Sequence, residues 1–424
     1  MAIFYCFREP ETLYECVSLI SRLQFALCCS GFFERGGKFV INQWTRLYSL
    51  SCACLAVLGL AGTVHVLLQN QLLRQRVLRL DNLVLSIMCL ELVISTLVFL
   101  FTMLSLQAWS QRHLRIYQRL AELDKQLIGQ FGARLNYGKL LRKHMLVLSM
   151  VAVLYFGAVN TGLAQLAEGR QLGIVVPAAL CYLIITSGPH LTGFVHMSLA
   201  ELLGIRLRLL QRLLEPQLLH RRFGGQPQLL ERRVRSLVDM VKELHYLIQE
   251  INGVYSLSLW SAMAHDFTLS TSELYIIFGR SNDSKNNSRR NSSNEPGDEL
   301  DLMLLGFLSI CLLVPFYKML IGPVYCSHSV DEGRKCLHLL EQLDDWFPDS
   351  VAIRQLVESI MRWRLQFKIE FTSGTSTVLN KTVITLYTSI VFNYLLVLIS
   401  FAMTQQLGEQ VEQQKVALQD WIGI

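Results

Sequence analysis

The sequence predicts an all-α membrane protein: seven transmembrane helices in inverted topology, N-terminus cytoplasmic and C-terminus extracellular, above a helical cytosolic layer. Three observations carry that expectation. Hydrophobic residues make up 52% of the 424 and charged residues only 17%, whereas soluble domains carry about 25% charged. Seven stretches satisfy or approach the roughly 20 apolar residues that a helix needs to cross the hydrocarbon. Of the 39 Lys and Arg, 29 fall in segments that this topology places inside and 9 in those it places outside, the bias that cytoplasmic loops carry.

Taken in order, residues 1–47 form a cytoplasmic N-terminal segment. Glu9, Glu11 and Glu15 stand where a secretory signal would be basic, and the apolar run Leu23 to Phe33 lacks a clear cleavage site. The spans follow at Tyr48 to Gln69, Leu83 to Leu106, Met145 to Leu166, Leu172 to Leu199, Val254 to Phe278, Leu302 to Cys326 and Val383 to Gln405. The fifth carries His265, Asp266 and Glu273, which a bundle tolerates when they face its interior or a wet cavity. The inner loops, 107–144 and 200–253, interleave Leu with charge at helical spacing, as in Leu202, Leu203, Ile205, Leu207, Leu209, Leu210, Leu213 and Leu214. Helices that continue below the membrane and pack together are the expected result. Pro216 and the group Gly224, Gly225, Pro227 break the second loop into a hairpin.

The outer loop 279–301 is rich in Ser, Asn and charge, a composition that predicts disorder. It holds sequons at Asn282, Asn286 and Asn291, and glycans are added on the exported side. Chance sequons in an Asn/Ser-rich linker are the bland alternative. Residues 327–382 are cytosolic anchor helices and 406–424 an extracellular tail. Prolines 177, 189, 315 and 323 bend spans four and six.

Function classes fall away by inventory. The net charge of +6 is modest and gives no nucleic-acid surface. Eleven cysteines include no CxxC pair, and Cys28/Cys29 and Cys52/Cys54 match no zinc or disulfide framework. No HExxH, Walker, GxSxG or GxGxxG motif occurs. No enzyme, cofactor or metal site is expected.

The last span is the most informative segment. At about 100 degrees per residue, Thr382, Thr385, Ser389, Asn393, Ser400 and Thr404 share a sector of roughly 100 degrees. Leu396, flanked by Val397, is the one gap in this polar stripe, and Phe401 lies at its edge. Repeated around a symmetry axis, such a face lines a hydrated path with one apolar narrowing. The competing reading makes the same residues interhelical glue within one protomer.

The run Asn393, Tyr394, Leu395, Leu396, Val397, Leu398, Ile399, Ser400, Phe401 resembles the seventh-span signature of insect gustatory receptors: Thr-Tyr, five hydrophobic residues, then Gln-Phe. Asn393 stands for Thr and Ser400 for Gln. Length, span count, topology and large inner loops extend the resemblance over the whole chain. It implies a ligand-gated cation channel, a homo- or hetero-tetramer with other gustatory receptor subunits, in the plasma membrane of a sensory neuron dendrite. The last helix would line a shared pore through Ser389, Asn393, Leu396 and Thr404, with Ser400 and Phe401 at the gate.

The resemblance also implies a pocket for a small-molecule tastant in the outer half of the six-helix bundle, residues 48–326. The candidate lining is Glu91, Tyr155, Asn160, Tyr182, Asp266 and Glu273. Glu91 lies about 12 Å below the outer end of span two. Exposing it to lipid would cost at least about 2.5 kcal/mol, so it is paired, protonated or hydrated. Satisfied interhelical hydrogen bonds are the bland alternative for each of the six. Lys318 is expected to snorkel toward the cytosol, and His190 and His196 to be structural. Three other readings stay open: an odorant-receptor subunit needing a partner, a G-protein-coupled receptor and a secondary transporter.

Overall fold

The computed structural model describes residues 10–69, 82–166, 172–290, 297–366, 368–374 and 377–422; some side chains within these helices lie outside the description. Helix α1 (Leu13–Ala26) starts at Thr12, whose hydroxyl accepts the Glu15 amide, a side-chain N-cap. A hairpin of β1 (Phe33–Arg35) and β2 (Lys38–Val40) follows. Its turn residues Gly36 and Gly37 both hold positive φ, at 60° and 75°, which only glycine adopts freely.

The seven predicted spans each fall within one helix: α2 (Gln43–Gln69), α3 (Asn82–Ala108), α5 (Tyr137–Leu166), α6 (Leu172–Leu213), α8 (Pro227–Arg290), α9 (Gly297–Trp346) and α11 (Lys381–Ile422). Among the described residues, the segments Gln43–Gly62, Cys89–Ala108 and Lys381–Ser400 are long and apolar enough to cross a membrane by composition alone. Leu55, Leu58, Leu97 and Val153 point outward and exposed, the surface that lipid covers. Helices α6 and α9 continue through their prolines.

Three shorter helices, α4 (Ser110–Phe131), α7 (Pro216–Phe223) and α10 (Val351–Gln366), join α1 and the extensions of α6, α8 and α9 in a second layer. Leu202, Leu203, Leu207, Leu210 and Leu214 of α6 are buried there, whereas Ile205 is exposed. The loop breaks where expected: Pro216 opens α7 in its first turn and Pro227 starts α8. At the centre sits an ion pair invisible to periodicity. Arg206 Nε lies 2.8 Å from Asp124 Oδ1, and Tyr137 donates its hydroxyl to Asp124 Oδ2 at 2.5 Å.

One expectation is corrected. Gly279 to Arg290, expected to be disordered, continues α8. The segment contains no proline and no glycine beyond Gly279, and a helix satisfies its own backbone whatever its side chains, so propagation from a stable span suffices. The side chains of Asn282 and Asn286 lie outside the described residues, as does Asn291 altogether.

Before the last helix, β3 (Thr372–Ser373) and β4 (Thr377–Val378) form a small hairpin held against α8. Asn252 donates to the Glu370 carbonyl at 2.8 Å and accepts from the Thr372 amide at 3.1 Å. Ser256 bonds the Gly374 carbonyl at 2.6 Å. The start of α11 is therefore fixed to α8.

Candidate functional site

Helix α11 has two unlike faces. Val383, Tyr387 and Val391, spaced four apart, are buried, the last two against Met263, Phe267 and Leu274 of α8 and Met319 of α9. The Tyr387 hydroxyl lies 3.0 Å from Ser270 Oγ, and the Tyr394 ring stands edge-on to Phe267 at 5.4 Å.

The opposite side carries the polar stripe, its centre about 150 degrees away around the helix. Thr382, Thr385, Ser389, Asn393, Ser400 and Thr404 are all exposed, and Leu396 is 61% exposed. The hydroxyls of Ser400 and Thr404 donate to carbonyls one turn back, each at 2.8 Å, so they do not tie α11 to another helix. Apolar flanks border the stripe: Leu386, Ile390 and Val397 on one side, Phe392 and Met403 on the other, all exposed. The Phe401 side chain is outside the described residues.

Within the bundle the predicted pocket residues separate into two tiers. In the first, Tyr182 of α6 hydrogen-bonds the Glu91 carboxylate of α3, and Glu273 of α8 lies within electrostatic reach of Glu91. Asp266 belongs to the second tier, seven residues or about 10 Å along α8. The side chains of Tyr155 and Asn160 lie outside the described residues.

The second tier corrects the expectation for Lys318. It does not snorkel: its ammonium lies 2.7 Å from Asp266 Oδ2 and 3.0 Å from His190 Nδ1. The fully buried Asp266 carboxylate holds it, because a buried charge without a partner is costlier than a lost route to water. Gly193 makes room for the stem, since a Cβ there would sit 2.8 Å from Lys318 Cδ. His265, beside Asp266, pairs with Ser95 Oγ at 2.7 Å. His190 thus joins the ion pair, while His196 packs against Tyr255 and Phe371.

A cavity of about 40 Å³ adjoins this pair, lined by His196, Met263, Pro323 and Cys326 among others. That volume holds a water or two rather than an organic ligand. A larger cleft of about 490 Å³ lies in the second layer between Arg112, Arg119, Glu243 and Glu250. In the core of the same layer, burial moves His113 down to about 3; its Nε2 meets the Tyr255 hydroxyl at 2.5 Å. Sequence reading missed this contact and the Asp124–Arg206 pair, because each joins residues far apart in the chain and neither breaks a helical pattern.

Similarity to known proteins matches this architecture. Residues 18–405 match the family model described as 7tm Chemosensory receptor. A Drosophila melanogaster protein named as gustatory receptor 57a is 53% identical over 425 residues, with all of both chains covered. One named as gustatory receptor 47b, from the same fly, is 26% identical over 381 residues, covering 88% of this chain and 86% of that one. Among solved structures, the insect olfactory receptor OR5 from Machilis hrabei in complex with eugenol superposes with a TM-score of 0.62 at 11% identity, over 90% of this chain and 98% of that one. A second structure of the same receptor gives a TM-score of 0.60 at 10% identity, over 90% of this chain and 96% of that one. At such identities the structural likeness concerns the fold, whereas the full-length identity and the family model concern descent. The chain is a multi-pass membrane protein and a member of the insect gustatory receptor family.

Proposed function

We propose that the chain is one subunit of a cation channel in the plasma membrane of chemosensory neuron dendrites, opened by a small extracellular tastant. The observation that carries this is the polar stripe of α11, exposed on its own protomer and bordered by apolar flanks. A lipid-facing helix gains nothing from such a stripe, whereas four copies arranged around an axis place it on water and pack their flanks on one another. Leu396 then narrows the path, with Ser400 and Phe401 at the outer gate.

The ligand occupies the outer bundle and favours the open state by its differential affinity for that state. Helix α8 carries the change, because Ser270 and Phe267 touch Tyr387 and Tyr394. The second layer, inside the cell with the N-terminus, keeps subunits together while the bundles move apart. Asn282, Asn286 and Asn291 then lie outside and carry glycans.

Recording from cells that express this chain alone, against a panel of tastants, tests the reading. Ligand-evoked current that cysteine reagents block at Ser389→Cys and Asn393→Cys supports it; stripe cysteines that stay unreactive during activation remove it. A second reading, a subunit that conducts only with a partner, is favoured by Ser400 in place of the family Gln, a residue that another chain could supply. Current that appears only on co-expression with a second receptor subunit distinguishes it.

A further inference from the structure

The cleft of about 490 Å³ between α4 and α8 takes no part in the function proposed above. Its charges are not all paired. At its lower end Arg119 Nε lies 3.6 Å from Glu243 Oε1. Arg112 on α4 and Glu250 on α8 also line it, each seven residues, or about 10 Å, nearer the membrane. Among the described residues neither of these two makes an ion pair.

The upper end of the cleft opens at the membrane boundary. Arg112 follows Trp109, the first residue after the apolar segment Cys89–Ala108, and its guanidinium carbon lies 4.4 Å from the centre of that ring. Tryptophan belongs at the level of lipid headgroups, and a contact through the ring face leaves guanidinium N–H donors for an anion. On α8 the lining residue Gly253 stands just before span five. Leu257 and Trp260, one and two turns further on the same stripe, are exposed, where acyl chains run. Gly253 lies in a helix interior, where alanine is about 1 kcal/mol better, yet a Cβ there meets only Arg112 Nη1, at 3.8 Å. Packing does not demand this glycine, whereas an open mouth beside Arg112 does.

A ligand for this end needs an anion for Arg112 and an N–H-bearing cation for Glu250, joined by a short link and carried on an apolar tail. Polyphosphates bring several negative charges to one unpaired cation flanked by two carboxylates. A choline group has the positive charge but no N–H to donate.

We propose that the cleft binds the headgroup of a phosphatidylethanolamine lipid from the leaflet beside the second layer, its phosphate on Arg112 and its ammonium on Glu250. The guanidinium donates to the phosphate and the ammonium to the carboxylate, both in charge-assisted hydrogen bonds, and the acyl chains follow Leu257 and Trp260. The topology proposed above makes that leaflet cytoplasmic; the site itself needs only the membrane spans.

The test titrates full-length protein in detergent with dioctanoyl phosphatidylethanolamine and follows thermal unfolding. The midpoint rises saturably, with apparent affinity about tenfold or more above that of dioctanoyl phosphatidylcholine and phosphatidylglycerol. The N-methyl and N,N-dimethyl lipids fall between, as N–H donors are lost one at a time. Glu250→Gln removes the preference over phosphatidylcholine. Arg112→Gln weakens all of these lipids, and Gly253→Leu, which fills the mouth, does the same. Should a variant not fold, the methylation series on the unsubstituted protein decides the point.

The proposal is overturned if phosphatidylcholine or phosphatidylglycerol binds as tightly as phosphatidylethanolamine, if the preference survives in Glu250→Gln, or if Arg112→Gln changes nothing. Free O-phosphoethanolamine binding as tightly as the lipid also overturns it, because the cleft then serves a soluble zwitterion. The assay reads no current, so the two readings fail separately. A lipid preference without ligand-evoked current keeps this site and removes the channel, and evoked current without the preference does the reverse.

Discussion

Asp266 and Lys318 place opposite charges in the apolar interior of the bundle, where each depends on the other. Replacing Lys318 with Met strands a carboxylate that is fully buried, and breaking such a pair costs about 3–5 kcal/mol. Lys318→Met is therefore expected to abolish most folded protein, seen as loss of the monodisperse peak in detergent chromatography. Adding Asp266→Asn to it restores most of the peak, because the residual cost came from the unpaired charge. At Leu396 the expected change is functional. This side chain interrupts the polar stripe and is itself exposed, so under the proposed channel reading Leu396→Ser removes the apolar narrowing and raises current in the absence of ligand. Basal current equal to the unsubstituted channel would show that the narrowing lies elsewhere. Lys318 also marks a limit of legibility: a lone Lys in a span reads as snorkelling until the carboxylate opposite it is located.

At the scale of elements, the connection between α8 and α11 is the feature with the clearest consequence. Asn252 completes the hairpin before α11 with one donated and one accepted hydrogen bond. Asn252→Leu leaves the Glu370 carbonyl and Thr372 amide unpaired, at about 1–3 kcal/mol each if water does not reach them. The midpoint of thermal unfolding is expected to fall, and ligand-evoked current to fall further than surface expression, since α11 loses its fixed start. Proportional loss of both would leave the hairpin a purely stabilising role. All seven spans were legible from hydropathy, and the breaks at Pro216 and Pro227 from turn chemistry. Neither hairpin was. Strands of two or three residues give no period, although Gly36–Gly37 between Phe33–Arg35 and Lys38–Val40 carries the glycine pair typical of a tight turn. The continuation of α8 past Gly279 was missed for the opposite reason, since composition reports the wish for solvent and not the backbone path.

Across the whole molecule, the second layer buries histidines in neutral form. Burial moves His113 down to about 3, and His144 and His245 down to about 4, and each keeps one ring nitrogen unpartnered. Unfolded histidine titrates near 6.5, so between that value and about 4 the unfolded chain binds more protons than the folded one. Stability is then complete above about pH 6.5 and declines as pH falls. The unfolding midpoint in detergent is expected to drop steadily from pH 6.5 to 4.5, with a shallower slope in His113→Phe and His245→Phe. Equal slopes in all three proteins would place the acid sensitivity in other groups.

The sequence by itself determined that this chain has seven membrane-spanning helices, that the long segments between them are helical and that its last helix has a polar side. Those are properties of local periodicity and of the cost of exposing polar groups to lipid, and both act on consecutive residues. Only the tertiary structure decided that this side faces away from its own protomer and that Asp266 holds Lys318. Both outcomes depend on which helix faces are apposed, a choice made by packing between residues such as Asp266 and Lys318, 52 apart, or Ser270 and Tyr387, 117 apart, and side-chain period along one helix carries no record of it.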